Sequence, residues 1–439
     1  MSVDKRDTGR AVPTGRTSRF LAFGGMASAI AGNVAAQGVR ALAHGKRPDF
    51  GQLLLTPANT MRLTEGLSHL RGAALKMGQM LSMDTGLVVS EELAAILGQM
   101  RDNATHMPPK QLQTVLNAEW GTGWYKRFAS FDVRPFAAAS IGQVHRAVTR
   151  EGEQLAIKVQ YPGVRASIDS DVTNMATLMR LPGLLPRGMV LEPLLTEVKR
   201  QLHAEADYLA EAQNLTQFEA LLAGSDTFAL PSLHPALCTP QVLAMRYMQS
   251  TPLDGLVDAP QRTRDTVAAA LIGLVLRELF EFGTMQTDPN LANYRYDPET
   301  GRIVLLDFGA VQAIAPALAA DFRALARTAL FGDAATTREA MLRIGYFGPD
   351  TAPHHQDLIQ SMFETAMAPL RQEHPYDFGR TDLMETLRDM GLALGSDRDL
   401  AHVPPAATLF LHRKIGGMYL TAAKLRACVA LRPMVEAYC

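Results

Sequence analysis

The sequence predicts an α+β fold, mostly helical, with a small sheet-containing lobe, a larger helical lobe and a helical N-terminal extension. Three observations carry this reading. Residues 20–125 look helical, and an apolar stripe Leu63, Leu67, Leu70, Ala74, Met77, Leu81 recurs at spacings of four and three. The character then changes to alternating and β-rich from Pro135 to Gln160. Beyond that the chain is mostly helical again, apart from a loop-and-strand unit over Phe282–Gly309.

Taken in order, residues 1–18 are polar, basic and rich in turn formers, and read as disordered. Phe20–Ala36 is the one stretch resembling a membrane span, but Asn33 and the Gly24-Gly25 pair weaken it, and it starts late for a signal peptide. Ser90 suits the N-cap of a second helix. Pro109 suits the first turn of a third, which ends before Gly121. Pro135–Val148 and Gln154–Gln160 read as two strands joined at Glu151-Gly152. A long helix is expected over Glu192–Leu222, and a short apolar strand over Val242–Met248.

At 439 residues the chain exceeds one ordinary core. The expected units are 1–18, a helical extension 19–130, a first lobe 131–248 and a helical second lobe 249–439. With 43 basic and 44 acidic residues there is no basic excess to favour nucleic acid as a partner. Cys238, Cys428 and Cys439 are far apart and form no metal-ligand pattern; so sparse a set fits a reducing compartment.

The chemistry concentrates in Phe282–Gly309. Asp288 is followed five residues on by Asn293, then by an apolar strand Ile303–Leu306 and by Asp307-Phe308-Gly309. Carboxylate and amide oxygens suit magnesium, and this spacing suits a magnesium-bound nucleotide triphosphate. Upstream, Leu155, Ile157 and Val159 share one face of a strand, while Ala156 and Lys158 share the other. A small residue beside a lysine leaves room for a flat ring next to a cation. Taken alone, the strand favours an edge lysine facing water; the aspartates downstream reverse that preference.

On the long helix Glu205 falls on the stripe of Val198, Leu202, Leu209 and Ala212, and Glu211 beside Ala204, Leu215 and Phe218. Carboxylates on apolar faces need partners, and Lys158 and Lys76 are the candidates. Ala137-Ala138-Ala139-Ser140 precedes the lysine strand where glycines usually let backbone N–H groups approach phosphates. Lys76 and Gln79 flank Gly78 on the first amphipathic helix, where a glycine costs up to about 1 kcal/mol and implies close packing.

The stretches LRGAALKMGQMLSMD, AAASIGQVHRA, LAIKVQYPGV, EADYLAEAQN, QTDPNLAN and LLDFGA, with LHRKIGGMYLTAAKLRA near the C-terminus, resemble the UbiB family of atypical kinase-like proteins, also called aarF-domain kinases. Most members carry His-Ala-Asp-Pro-His-Pro-Gly-Asn in the catalytic loop. Gln286-Thr287-Asp288-Pro289-Asn290-Leu291-Ala292-Asn293 resembles the variant of the coenzyme Q-linked subgroup, as does VPTGRTSRFLAFGGMASA near the start.

This resemblance implies a bilobal protein-kinase-like fold with the extension lying across the active site. It implies that ATP and Mg2+ are the cofactors. Lys158 is expected on the α/β-phosphates, paired with Glu211; Asp288 takes the catalytic-loop position, and Asn293 and Asp307 the metal. Ala137, Ala138, Ala139, Ser140 and Gln143 are expected to cover the nucleotide, with Met245 and Met248 bounding the hinge against adenine. Lys76 and Gln79 are expected to enter from the extension toward Glu205 and Asp207.

The family links to ubiquinone biosynthesis, and its members look more like ATPases than protein kinases. The expected partners are quinone-pathway lipids and enzymes. The expected place is the cytoplasm, with peripheral contact at the inner membrane, since no span follows the kinase-like region. A true protein or small-molecule kinase, and a nucleotide-gated lipid-binding scaffold, are the alternatives.

Overall fold

A computed structural model describes residues 106–179, 192–396, 402 and 404–439, with Asn33, Lys76 and two neighbours of Asn33, residues 32 and 36. The apolar stripe over 60–83, the Ser90 helix, most of Phe20–Ala36 and Gln79 lie outside the described residues. The chain forms two compact units. The first runs to Thr216 and includes Ser232–Tyr247; the second takes Gln217–Pro231 and Met248–Cys439.

In the first unit, α1 (Pro109–Trp120) has proline in its first turn, buries Leu112, Val115, Leu116 and Trp120, and stops at Gly121 with φ 80°. Next come β1 (Phe128–Phe131), β2 (Ala137–Ala138), β3 (Gly142–Thr149) and β4 (Gln154–Gln160). Helices α2 (Val164–Met179), α3 (Glu192–Glu205) and α4 (Tyr208–Leu221) follow, and α4 runs on into the second unit. After β5 (Phe228–Ala229), which belongs to the second unit, β6 (Val242–Arg246) completes the antiparallel order β1-β3-β4-β6, with β2 on β3. Strand β4 is therefore interior, paired on both edges. Leu155, Ile157 and Val159 are fully buried, and Lys158 is buried as well, so an edge lysine facing water does not describe it.

Two expectations need correction here. The strand expected from Pro135 is shorter: β2 and β3 form a tight hairpin closed by the Ala139 N–H to the Gly142 carbonyl at 2.9 Å. The helix expected over Glu192–Leu222 is two helices. Asp207 breaks it: its carboxylate accepts the Ala210 N–H at 3.1 Å, as an N-cap does. The break rotates the second half, and Leu209, placed on the buried stripe by an unbroken helix, is 42% exposed. Helix α2 was not anticipated.

In the second unit the order continues with β7 (Thr251–Pro252), α5 (Gln261–Arg277), a π-helical turn Glu278–Phe282, β8 (Thr284–Gln286), β9 (Tyr294–Tyr296), β10 (Ile303–Leu305) and β11 (Val311–Ala313). Then come α6 (Pro316–Phe331), α7 (Ala334–Ile344), α8 (Pro353–Met367), β12 (Tyr376–Asp377), α9 (Leu383–Ser396), α10 (Ala406–Lys424), β13 (Cys428–Val429) and α11 (Leu431–Glu436). The strands form a sheet β5-β10-β9-β7 and two pairs, β8 with β11 and β12 with β13. The β8/β11 pair matters most, because it sets Gln286 opposite Val311 and joins the segments on either side of Asp288 and Asp307. The fold is α+β and mostly helical.

Gly142 is where the β2/β3 hairpin meets β4. A Cβ there would stand 2.4 Å from the Val159 carbonyl oxygen and 2.9 Å from the Tyr208 hydroxyl. Since backbone must yield, Gly142→Ala is expected to lower stability by about 2–3 kcal/mol, read as a shift in the urea midpoint; an unshifted midpoint would show that the hairpin relaxes freely.

Candidate active site

Among the described residues the first unit carries two buried lysines, each paired with a glutamate from the broken helix. Lys158 Nζ donates to both carboxylate oxygens of Glu211 at 2.9 Å, with side-chain exposures of 10% and 1%. It also sits 5.0 Å from the Tyr208 ring centre. Glu211 lies in the first turn of α4, where the helix dipole favours an acid. Lys76, fully buried, pairs with Glu205 at the C-terminal end of α3, where the dipole disfavours one. Of the two lysines weighed for the two glutamates, each has taken one.

Glu205 also accepts the Ser140 hydroxyl, so one carboxylate ties Lys76 to the tip of the β2/β3 hairpin. Asp207 goes elsewhere: besides capping α4 it forms an ion pair with Arg165 at 3.5 Å. Ala137 and Ala138 are exposed on the hairpin, and Ala139 is half-buried. The buried Ile141 carbonyl accepts the Tyr161 N–H at 2.9 Å and anchors the tip from the other side. Met245 stands opposite Ala156 across the β4/β6 ladder and is buried. Met248 begins the next stretch of the second unit.

Gln143 is turned inward. It accepts the Met107 N–H at 2.8 Å, and its amide nitrogen bonds His145 Nε2 at 2.9 Å. The His145 Nδ1–H donates to the Asp132 carbonyl at 2.8 Å, which leaves Nε2 as the acceptor. Burial lowers the His145 pKa to about 4, so the ring is neutral.

The second unit builds a separate polar cluster. Gln286 ends β8, and its side-chain amide is fully used. Nε2 donates to the backbone carbonyls of Asp288 at 2.8 Å and Asp307 at 3.3 Å. Oε1 accepts from Lys414 Nζ at 2.9 Å and from the Tyr294 hydroxyl at 3.2 Å. Lys414 also donates to the Tyr294 oxygen at 2.9 Å and lies 3.3 Å from Glu278 Oε2. Glu278, in the π-helical turn, accepts the Gln286 N–H at 3.1 Å. Burial works against charge on Lys414, but Glu278 and Tyr294 outweigh it and hold its pKa above the ordinary lysine value.

Asn293 Nδ2 donates to the Asp288 carbonyl at 3.2 Å, which orients the amide and leaves Oδ1 as its oxygen donor. Asp307 Oδ1 accepts the Gly309 N–H at 3.0 Å, which fixes the carboxylate's rotation. The buried Arg413 lies 3.6 Å from Asp288 Oδ1. Asn293, Asp307, Gln286, Glu278, Tyr294 and Lys414 line one small cavity.

No group of three His, Cys, Asp or Glu residues suited to a metal occurs among the described residues. A magnesium ion carried by a polyphosphate needs only one or two protein oxygens besides phosphate and water, and an Asp–Asn pair fits that donor set. Gln286, Glu278, Tyr294, Arg413 and Lys414 were not singled out as site residues from sequence. The glutamine stood out only as a substitution.

The family model for the ABC1 atypical kinase-like domain matches residues 99–341. The chain belongs to this family. It is 36% identical to the mitochondrial atypical kinase COQ8 of Saccharomyces cerevisiae, over 97% of this chain and 85% of that protein. It is likewise 36% identical to the mitochondrial atypical kinase COQ8B of Rattus norvegicus, over 99% and 82%. These relatives place it in the coenzyme Q-linked UbiB branch and bear out the resemblance read from the motifs. Among solved structures it is similar to Rv3197 of Mycobacterium tuberculosis in complex with erythromycin, at 22% identity and TM-score 0.59, over 88% of this chain and 96% of that one. That likeness supports the fold. No helix among the described residues is long and apolar enough to cross a membrane.

The neutral His145 gives a pH test. Its folded pKa of about 4 lies below the ordinary 6.5, so protonation favours the unfolded chain. The stabilisation is complete above pH 6.5 and is lost as pH falls toward 4. Wild type is expected to lose about 3 kcal/mol more than His145→Gln over that window in denaturant titrations; parallel losses would mean that the ring does not titrate there.

Proposed function

We propose that the chain is a Mg-ATP-dependent atypical kinase-like enzyme that hydrolyses ATP in support of ubiquinone (coenzyme Q) biosynthesis. The observation that supports this best is the shared tether of Asp288 and Asp307: one amide, Gln286, holds both backbones, and Asn293 is tied to the first. In this reading Asn293 and Asp307 hold magnesium, and Asp288 orients the attacking oxygen. Bound magnesium supplies charge neutralisation on the phosphates. Lys158, aimed by Glu211, contacts the α/β-phosphates. Residues 131–248 act as the nucleotide-covering lobe and 249–439 as the catalytic lobe. The alanines 137–139, with Ser140, lie over the nucleotide, while the inward-turned Gln143 supports their hairpin from within, and Met245 and Met248 bound the adenine end.

Lys76 brings the extension, residues 19–130, to Glu205. Methyl groups stand where glycines would let the backbone close on phosphate, and the extension is pinned to the same hairpin through Glu205 and Ser140. Both features hinder a protein acceptor and favour water, which is why hydrolysis is preferred over transfer. A role at the inner membrane surface, with quinone-pathway lipids and enzymes as partners, goes with the pathway.

Purified protein is expected to hydrolyse ATP slowly with magnesium, and Asp307→Asn to abolish that turnover. Unchanged turnover in the variant would overturn the metal assignment, and labelled phosphate on an acceptor rather than in water would favour a kinase. Deleting the gene is expected to deplete ubiquinone in the cell's lipid extract. Normal quinone levels would remove the pathway while leaving the ATP chemistry standing.

A further inference from the structure

Resting on that reading of the site, we infer that Lys414 of the C-terminal helix α10 is a positioning residue for the magnesium site, acting through the side-chain amide of Gln286. The geometry carries it. A glutamine amide offers two hydrogens and two lone pairs. Here both hydrogens go to the Asp288 and Asp307 carbonyls, and both lone pairs go to Lys414 and Tyr294.

The lysine decides which way the amide faces. An ammonium has only hydrogens to give, so it demands the oxygen, and the nitrogen is left to face the two aspartate carbonyls. Reversal would set the amide N–H2 against the ammonium and the amide oxygen against two carbonyls. A neutral histidine, with one donor and one acceptor, cannot make these four bonds.

The lysine is fixed in turn. Glu278 lies 3.3 Å away and holds the Gln286 backbone N–H with its other oxygen. Lys414, Glu278 and Gln286 are each at most 5% exposed. The neighbouring Arg413 reaches the Asp288 carboxylate, so one turn of α10 meets both the backbone tether and the side chain of the catalytic loop. Lys414 bonds Gln286 and Tyr294 and pairs with Glu278, none of them a proposed metal ligand. Its effect falls on where the Asp288 and Asp307 backbones sit, and so on how well the metal pair is formed.

The test is a cycle between Gln286→Met and the charge-free double variant Lys414→Met/Glu278→Gln, which leaves no lone buried charge. The magnesium dependence of fluorescent ADP-analogue binding and of ATP turnover is measured with the full chain. Each arm is expected to raise the half-saturating magnesium concentration about tenfold, as loss of an outer-shell support does. The combined variant is expected to show the same shift rather than the product, because both arms break one linkage.

A shift shared equally with metal-free analogue binding marks a general loss of structure and overturns the proposal. Multiplying shifts overturn it too, since Lys414 then acts by another route. Gln286→Met leaves the Lys414–Glu278 pair in place, so an unaltered magnesium dependence in that variant overturns the proposal whether or not the double variant folds. Wild type indifferent to magnesium overturns the reading of the site and this inference with it. A magnesium-dependent wild type with indifferent variants overturns the inference alone.

Discussion

A buried ammonium must meet a carboxylate, and that constraint organises this protein. Among the described residues three lysines are buried, and each has a glutamate: Lys76 with Glu205, Lys158 with Glu211, Lys414 with Glu278. None of these pairs is local in sequence. The first joins a residue of the N-terminal extension to the end of α3, the second joins β4 to α4, and the third joins α10 to a π-helical turn. Deleting one partner of such a pair costs about 3–5 kcal/mol, whereas replacing both by apolar residues can cost little. Stability alone therefore does not explain why charge sits there. Each pair borders a residue with a proposed part in the chemistry: Ser140 on the hairpin, Lys158 itself, and Gln286 ahead of Asp288.

The break between α3 and α4 serves the same constraint. In an unbroken helix Glu205 and Glu211 lie six residues apart, about 120° from one face to the next. Stopping the helix at Glu205 and restarting it at Tyr208 gives each carboxylate its own helix end. The Asp207 cap and the Gln160 amide on the Ala206 carbonyl, at 3.0 Å, fix the corner. Glu211 gains the favourable end of α4, and Lys76 answers the unfavourable end of α3.

What the sequence revealed follows from how local each signal is. Strand β4 was legible because Leu155, Ile157 and Val159 alternate with Ala156 and Lys158. Helix α1 was legible because Pro109 and Gly121 bracket an apolar stripe. The Asp288–Asn293–Asp307 spacing was legible because loop and strand are contiguous. The break at Asp207 was not, since apolar periodicity runs on through it and an aspartate inside a helix costs only a few tenths of a kcal/mol more than its neighbours. The cap was present in the sequence, but it competed with a longer and apparently stronger pattern.

Lys414 shows the limit more sharply. It lies 128 residues from Gln286, in a helix whose composition says only that it is largely apolar. A lysine in such a helix reads as a solvated interruption, because sequence records the cost of burying a charge but not its compensation. The compensation here is assembled from a π-helical turn, the end of a three-residue strand and the start of another, each too short to announce itself. The glutamine was the visible half of this device. Where a catalytic loop carries an amide in place of an imidazole, a buried donor that needs its oxygen is the partner to seek, since the extra lone pair has value only where something uses it.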